Sequence, residues 1–245
     1  MPTEQDRTYT VKLAGADFYK NQLIRPSAVL AHVQRVVDEH LDAEKVSVPD
    51  LAPYNLAWVL TMAAVRIQPI VLEGTTLSAR TWMSQHKGPY FRREVEFFTP
   101  SSERVLRFSS FSVLMDLKER TIARPSVLPV QLKSTTPEFV IDALSPKLHM
   151  KCPLEHCYTD VIRNCHIDLL GHANNSFYAD FALNCLNEEE FAQGISEMDI
   201  NYLSELTRGT QYSLARGKDE LGNIWVEGTN ADEEKRSFCA RIKLF

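Results

Sequence analysis

His166-Ile167-Asp168-Leu169-Leu170-Gly171-His172-Ala173-Asn174-Asn175-Ser176-Phe177-Tyr178 is the stretch on which the reading of this chain turns. It joins an expected strand to an expected helix. An acid and an imidazole, Asp168 and His172, sit four residues apart in a turn. Asn174 and Asn175 follow and suit a helix N-cap. A helix N-terminus presents free backbone N–H groups and a partial positive charge, which can hold a carbonyl oxygen as it becomes an oxyanion. The same spacing fits a plain role, in which Asp168 caps the turn and His172 is a hydrogen-bonded packing residue. Spacing alone leaves the two readings level.

Outward from this stretch, the second half reads as a strand near 158–163, a helix near 175–186, and strands near 198–204, 211–216, 224–229 and 238–245. In the last of these Phe238, Ala240, Ile242 and Leu244 share one face. The first half has a similar order. A strand is expected at 8–13 and a helix from about Pro26, where proline's missing N–H costs little. Val29, Val33, Val36, Val37 and Leu41 recur at three- and four-residue steps and so lie on one helix face. The apolar run 56–70 fits helix or strand. Strands follow at 75–83, 90–98 and 105–116, separated by turn signals at Lys87-Gly88-Pro89 and Thr99-Pro100-Ser101-Ser102. Pro125, Pro129, Pro137, Pro146 and Pro153 crowd the stretch between the halves, which reads as an extended connection. The expected division is a first domain over 1–130, a linker over 131–152 and a second domain over 153–245.

An internal echo favours duplication. Ile67 to Ala79 and Ile200 to Ala215 each show an apolar strand, a Gly-Thr turn (Gly74-Thr75 and Gly209-Thr210) and a second strand. The fold class expected is therefore α+β: two tandem domains, each a long helix packed on an antiparallel sheet.

With 245 residues the chain is long enough for two such cores. A net charge of −5 argues against nucleic acid as the main partner. No stretch approaches the about 20 apolar residues a membrane helix needs. The opening Met1-Pro2-Thr3-Glu4-Gln5-Asp6 is polar and acidic, so it reads as neither signal nor transit peptide. Cys152, Cys157, Cys165, Cys185 and Cys239 are odd in number and confined to the second half, which fits free thiols in a reducing cytoplasm. With His149, His156, His166 and His172 nearby they could suggest a metal, but the spacings do not make a closed zinc site, and no metal or other cofactor is expected.

Asp168 to Tyr178 resembles the Asp-x-x-x-His-Val-Asn-Asn-x-x-Tyr signature of hotdog thioesterases. More narrowly, the whole chain resembles the acyl-ACP thioesterases, of the bacterial type with two hotdog domains. Leu56-Ala57-Trp58-Val59-Leu60-Thr61 is similar to that family's Leu-Ile-Trp-Val-Val-Thr segment, and Thr81-Trp82 and Arg92-Arg93-Glu94 to its Thr-Trp and Arg-Arg-Asp strands. Ser110-Phe111-Ser112-Val113-Leu114-Met115 with Arg120 and Pro125 resembles the end of its first hotdog, and Tyr202-Leu203-Ser204-Glu205 its Tyr-Arg-Arg-Glu strand.

The resemblance implies hydrolysis of fatty acyl-ACP thioesters to free fatty acid and ACP, in fatty acid biosynthesis. It places the family's acid on Asp168, its histidine on His172 and its downstream glutamate on Glu205. Asn174 and Asn175 stand as supporting residues. The family's asparagine falls on Leu170 and its cysteine on Leu206, neither of which can do polar chemistry. The first half has Asn21-Gln22-Leu23-Ile24-Arg25 where an acid and a histidine would stand, so one site per chain is expected, with the first domain helping to form the acyl pocket. Without the resemblance, Glu205 reads as a solvated strand-end glutamate.

The expected partner is an acyl carrier protein bearing a fatty acyl chain; a homodimer stays open. Nine basic against five acidic residues between Arg80 and Arg124 suggest a docking surface for an acidic carrier, with Arg92, Arg93, Lys118 and Arg120 as candidates. The plain alternative is a solvated sheet face. An acyl-CoA thioesterase and a non-catalytic acyl-binding hotdog protein are the competing functions.

Overall fold

The computed structural model describes residues 7–68, 76–130, 137–150 and 152–245. They form two compact units, each assembled from separate stretches. The first holds residues 7–14, 31–63, 76–130 and 137–146; the second holds 15–30, 64–68, 147–150 and 152–245.

The first unit is built on an antiparallel sheet. Strand β1 (Tyr9–Lys12) pairs with β3 (Thr76–Lys87), β3 with β4 (Tyr90–Phe98) and β4 with β5 (Arg104–Asp116). Beside β5 lie β2 (Leu56–Ile67) and the short β6 (Thr121–Ile122). The ambiguous apolar run is thus a strand to residue 67; its last two residues, and the Gly74-Thr75 turn of the internal echo, lie outside the described residues. Val59, Val65 and Ile67 favour a pleated surface, and no helix-breaking residue was needed to decide against a helix. Helix α1 (Pro26–Ala43) starts at its proline and buries Val29, Val33, Val36 and His40. The short helix α2 (Val48–Leu51) follows. Val46, Leu51, Leu56, Met83, Phe91 and Leu114 form one core cluster, against which Trp58 packs while donating to the Val46 carbonyl at 3.0 Å.

Arg92 is not on the surface. It is 4% exposed, and its Nε donates to Glu94 at 2.6 Å while its guanidinium also donates to the Ile141 carbonyl. Glu94 also accepts from Ser84 Oγ at 2.7 Å, from Ser109 Oγ and from the Val140 amide at 3.2 Å. A buried charge persists only when paired and hydrogen-bonded, and both conditions hold here. Arg92 therefore leaves the set of carrier-docking candidates: it ties Ile141 to the sheet, as Glu94 ties Val140. Arg93 is half-buried, with Nη1 3.4 Å from Thr81 Oγ1, and Lys118 and Arg120 are exposed.

The second unit carries an antiparallel sheet in the order β8 (Ile195–Tyr202), β11 (Lys235–Leu244), β10 (Ile224–Asn230), β9 (Gln211–Lys218), β7 (Glu155–Val161). Its helical layer differs from the expected single helix over 175–186. Helix α3 (Phe177–Leu183) ends at Asn184, and α4 (Glu188–Gln193) begins anew. Asn187 causes the restart: its side chain accepts from the Glu190 amide at 2.9 Å, and Glu190 accepts from the Asn187 amide at 3.0 Å, a closed capping box. Burial alone would raise the Glu190 carboxyl, but hydrogen bonds from Arg216 and Lys218 prevail and hold it at about 2.

Gly228 sits opposite Phe238 on β10 and β11, and a Cβ at Gly228 would come within 2.0 Å of the Phe238 ring. The glycine leaves room for that ring to lie across its own backbone. Phe238 in turn meets Tyr178 of α3 edge-on, with centroids 5.3 Å apart. This contact fixes the start of α3 over the sheet.

Candidate active site

Residues 164–176 run from a 3-10 turn (Asn164–His166) into α3. The turn closes on itself. The Asp168 amide donates to the His172 carbonyl at 2.9 Å and the Gly171 amide to the Asp168 carbonyl at 3.1 Å. Gly171 has φ 84°, a region that side-chain-bearing residues enter at a cost. Asp168 Oδ1 accepts from the Leu170 amide at 2.8 Å, which fixes its carboxylate inside the turn.

The turn is held against a second segment. The Ala173 amide donates to the Leu206 carbonyl at 2.8 Å, and His172 bridges Thr207. That pairing brings His172 Nε2 to 3.0 Å from Glu205 Oε2. Both groups are reachable from solvent, with side chains 33% and 56% exposed. Of the sequence-predicted catalytic residues, His172 and Glu205 are in direct contact. Asp168 is half-buried at the other end of the same turn.

The supporting residues divide. The N-cap of α3 is Ser176 rather than either asparagine. Asn174 Oδ1 accepts from the Ser176 amide at 3.0 Å and from Ser176 Oγ at 2.8 Å, and the Asn174 carbonyl accepts from the Phe177 amide at 3.0 Å. Amides 176 and 177 are thus engaged within the turn, and an oxyanion site at α3 would need other donors. The Asn175 carbonyl accepts from Tyr202 Oη at 3.1 Å. Leu170 is 57% exposed, while Leu206 is fully buried, so the two leucines standing at polar family positions face opposite environments.

Tyr178, the last residue of the opening stretch, received no role from the sequence. It is 3% exposed, and its phenol is pushed up to about 12. Burial is the main cause, and the negative charges of Glu205 and Asp168 add to it. The phenol therefore lies within the field of both carboxylates. Its place at the end of the signature pointed to it, but no spacing revealed its ring contacts with Tyr202 and Phe238.

His166 is set apart from this chemistry. Its ring packs on Phe177 and Phe181, and its Nδ1 accepts from the Arg163 amide at 3.1 Å.

The sequence profile described as the acyl-ACP thioesterase N-terminal domain matches residues 2–127. No curated protein matches the chain in sequence. Solved structures share the fold. An acyl-ACP thioesterase from Bacteroides thetaiotaomicron is 15% identical with TM-score 0.82, covering 100% of both chains. A putative oleoyl thioesterase from Lactobacillus plantarum is 14% identical with TM-score 0.80, covering 96% of this chain and 94% of its own. The 12:0-ACP thioesterase from Umbellularia californica is 17% identical with TM-score 0.78, covering 98% and 96%. Since the profile spans more than half of the 245 residues, this chain belongs to the acyl-ACP thioesterase family of α+β hotdog proteins, and is a thioester hydrolase that releases fatty acid from ACP.

Proposed function

We propose that Glu205, His172 and Asp168 carry out this hydrolysis, with Glu205 as general base. The observation that carries the assignment is the 3.0 Å contact between Glu205 Oε2 and His172 Nε2 on adjacent backbone segments. Glu205 has its carboxylate in solvent and can take a proton from water as the water oxygen attacks the thioester carbonyl. The carbon–sulfur bond then breaks, and the carrier thiolate takes up a proton. His172 orients Glu205 and passes that proton on. Asp168, whose Oδ1 is committed to the Leu170 amide, holds the turn in shape and orients water with its second oxygen. Such proton transfers contribute about 10²–10⁴ in rate.

The test is thiol release from an acyl-ACP. Glu205→Gln and Asp168→Asn should each lower kcat at least about tenfold with the fold retained, because both act in the transition state. Turnover near wild type in both would remove them from the mechanism.

Carrier recognition is assigned to Arg93, Lys118 and Arg120. An acidic carrier is attracted by clustered cations even when the net charge is negative, and this attraction mainly raises the association rate. Salt shortens the screening length from about 10 Å at 0.1 M to about 3 Å at 1 M. Accordingly kcat/KM on acyl-ACP should fall with added salt while a small acyl thioester is little affected. Equal sensitivity of the two substrates would shift the docking surface elsewhere. The five cysteines are free, which supports a reducing, cytoplasmic setting.

A further inference from the structure

We propose that His166 is a positioning residue for the hydrolysis: its ring closes the turn that holds both the segment carrying His172 and the segment carrying Glu205. The inference rests on the proposed roles of that pair and adds a residue outside it.

The Arg163 amide donates to His166 Nδ1 at 3.1 Å, and the His166 amide donates back to the Arg163 carbonyl at 3.0 Å. The two bonds close the turn reciprocally, as a capping box does. Each end of the turn holds a different segment. On one side the Ile162 amide donates to the Thr210 carbonyl, and the Ile162 carbonyl accepts from the Gly209 amide, each at 2.9 Å. The Thr210 amide in turn donates to the Thr207 carbonyl at 3.1 Å, which closes the bend that follows Glu205. On the other side the His166 carbonyl accepts from the Asn174 amide at 2.9 Å, and Ile167 bridges Ala173, the residue after His172. Residues 163–166 therefore set the spacing between the two anchors.

The ring is itself fixed. It packs on Phe177 and Phe181 of α3, with centroids 5.1 and 5.2 Å away. Its Nδ1 faces a backbone N–H, which can only donate, so Nδ1 carries a lone pair and the ring proton stays on Nε2. A second proton would set a donor against a donor and break the bond. Burial holds the imidazole below its ordinary value. The charges of Asp160 on β7 and Asp180 on α3 oppose this, and that of Arg163 adds to it. The turn is thus closed while His166 is neutral and loosens as pH falls through that lowered value.

The test compares two variants in acyl-ACP hydrolysis. His166→Phe keeps an aromatic ring on Phe177 and Phe181 and deletes the acceptor. His166→Asn deletes the ring and keeps an acceptor, since asparagine Oδ1 and histidine Nδ1 are both attached to Cγ. His166→Phe should lower kcat about tenfold with KM within about twofold, because positioning acts on the transition state rather than on binding. His166→Asn should stay within about threefold of wild type. Wild-type turnover in His166→Phe, or equal losses in the two variants, would overturn the inference. Glu205→Gln is the control for the reading beneath it. Wild-type turnover there means that the base assignment fails; an impaired Glu205→Gln beside an unimpaired His166→Phe sinks this inference alone. If His166→Phe does not fold, the pH profile decides. The ratio of wild-type to His166→Asn turnover should fall at least about threefold from about pH 7.5 to about pH 5, since only the wild type loses its acceptor on protonation. Titration of His172 and Glu205 is common to both proteins and cancels in the ratio. A constant ratio overturns the proposal.

Discussion

Residues 15–26 and 164–177 lead into α1 and α3 along the same backbone path, and both belong to the second unit. Each opens with a 3-10 turn, Gly15–Asp17 and Asn164–His166. Each closes with a bridge, Phe18 to Ile24 and Ile167 to Ala173. The Tyr19 amide donates to the Leu23 carbonyl at 2.9 Å, as the Asp168 amide does to the His172 carbonyl at 2.9 Å. The Arg25 amide donates to the Asp17 carbonyl, as the Asn174 amide does to the His166 carbonyl. Gln22 (φ 63°) stands where Gly171 (φ 84°) stands. The turn is one structure used twice, and its first copy has neither an acid nor a histidine at the positions of Asp168 and His172. In the first copy Tyr19 takes the place of Asp168 and Leu23 that of His172.

The first copy puts its side chains to another use. Tyr19 packs edge-on against Phe191 at 4.7 Å, and Arg25 lies over the Tyr19 ring at 5.3 Å. Ser27 Oγ donates to Asp180 of α3 at 2.7 Å, with Arg25 3.7 Å from the same carboxylate. One turn carries the proposed catalytic pair ahead of α3, and its twin holds α3 by the side.

The largest effect should come from making the second turn resemble the first. His172→Leu copies Leu23 into a backbone already known to accept leucine. It should lower kcat by about 10²–10⁴, the range for loss of acid–base help, while the far-ultraviolet spectrum and melting temperature stay close to wild type. Thiol release from an acyl-ACP measures it. Turnover above half of wild type would mean that the two turns differ in residue type without differing in role.

A smaller effect, of the opposite kind, is expected from Asp180→Ala, which takes the first turn's hold off α3. It removes the acceptor of Ser27 and the partner of Arg25, a loss of about 1–2 kcal/mol for a part-buried hydrogen bond left without its acceptor. For a chain of this size that corresponds to roughly 2–8 °C in melting temperature. At 25 °C kcat should change by less than about twofold. If kcat falls tenfold while the melting temperature holds, the bracing turn belongs to the catalytic machinery and the division of labour is wrong.

The comparison also marks what a sequence can convey. The second turn was recognisable because its side chains are chemical. Asn21-Gln22-Leu23-Ile24-Arg25 shares none of them; its matching place before the first helix could be read from the order of elements, but backbone hydrogen bonds leave no residue signature, so the shared turn geometry was invisible. The strands were legible where turn residues bound them, as at Gly88 (φ 59°) between β3 and β4. Over 62–65 every residue is buried, so β2 showed no alternation and stayed ambiguous. The break between α3 and α4 turns on a capping asparagine within an otherwise helical run. Arg92 looked like its neighbour Arg93 because a one-dimensional charge count cannot see that Glu94, Ser84 and Ser109 converge on one buried point. The pairing of His172 with Glu205 spans 33 positions and is set by the bridge to Thr207, which no local pattern encodes. The linker prolines mark an extended segment, but the compact units are assembled from several stretches, and residues 15–30 and 64–68 group with the second unit.

The smallest effect is expected at Leu170, where the family resemblance places an asparagine. Leu170 is 57% exposed, and its backbone amide, not its side chain, is what Asp168 holds. Exchanging an exposed side chain away from such a bond stays within about 0.5 kcal/mol, so Leu170→Asn should move the melting temperature by less than about 2 °C. The corresponding position of the twin turn is Asn21, whose side chain accepts from the Leu23 amide at 3.2 Å, so an asparagine here has a local backbone partner to hand. It would spend its oxygen on the turn rather than on a thioester. The expected kcat is therefore within about threefold of wild type in either direction. A gain of tenfold or more at unchanged KM would show that a polar group at 170 acts on the transition state. The second turn would then be a catalyst running without one of its parts, and Glu205 and His172 would no longer account for the whole of its difference from the first.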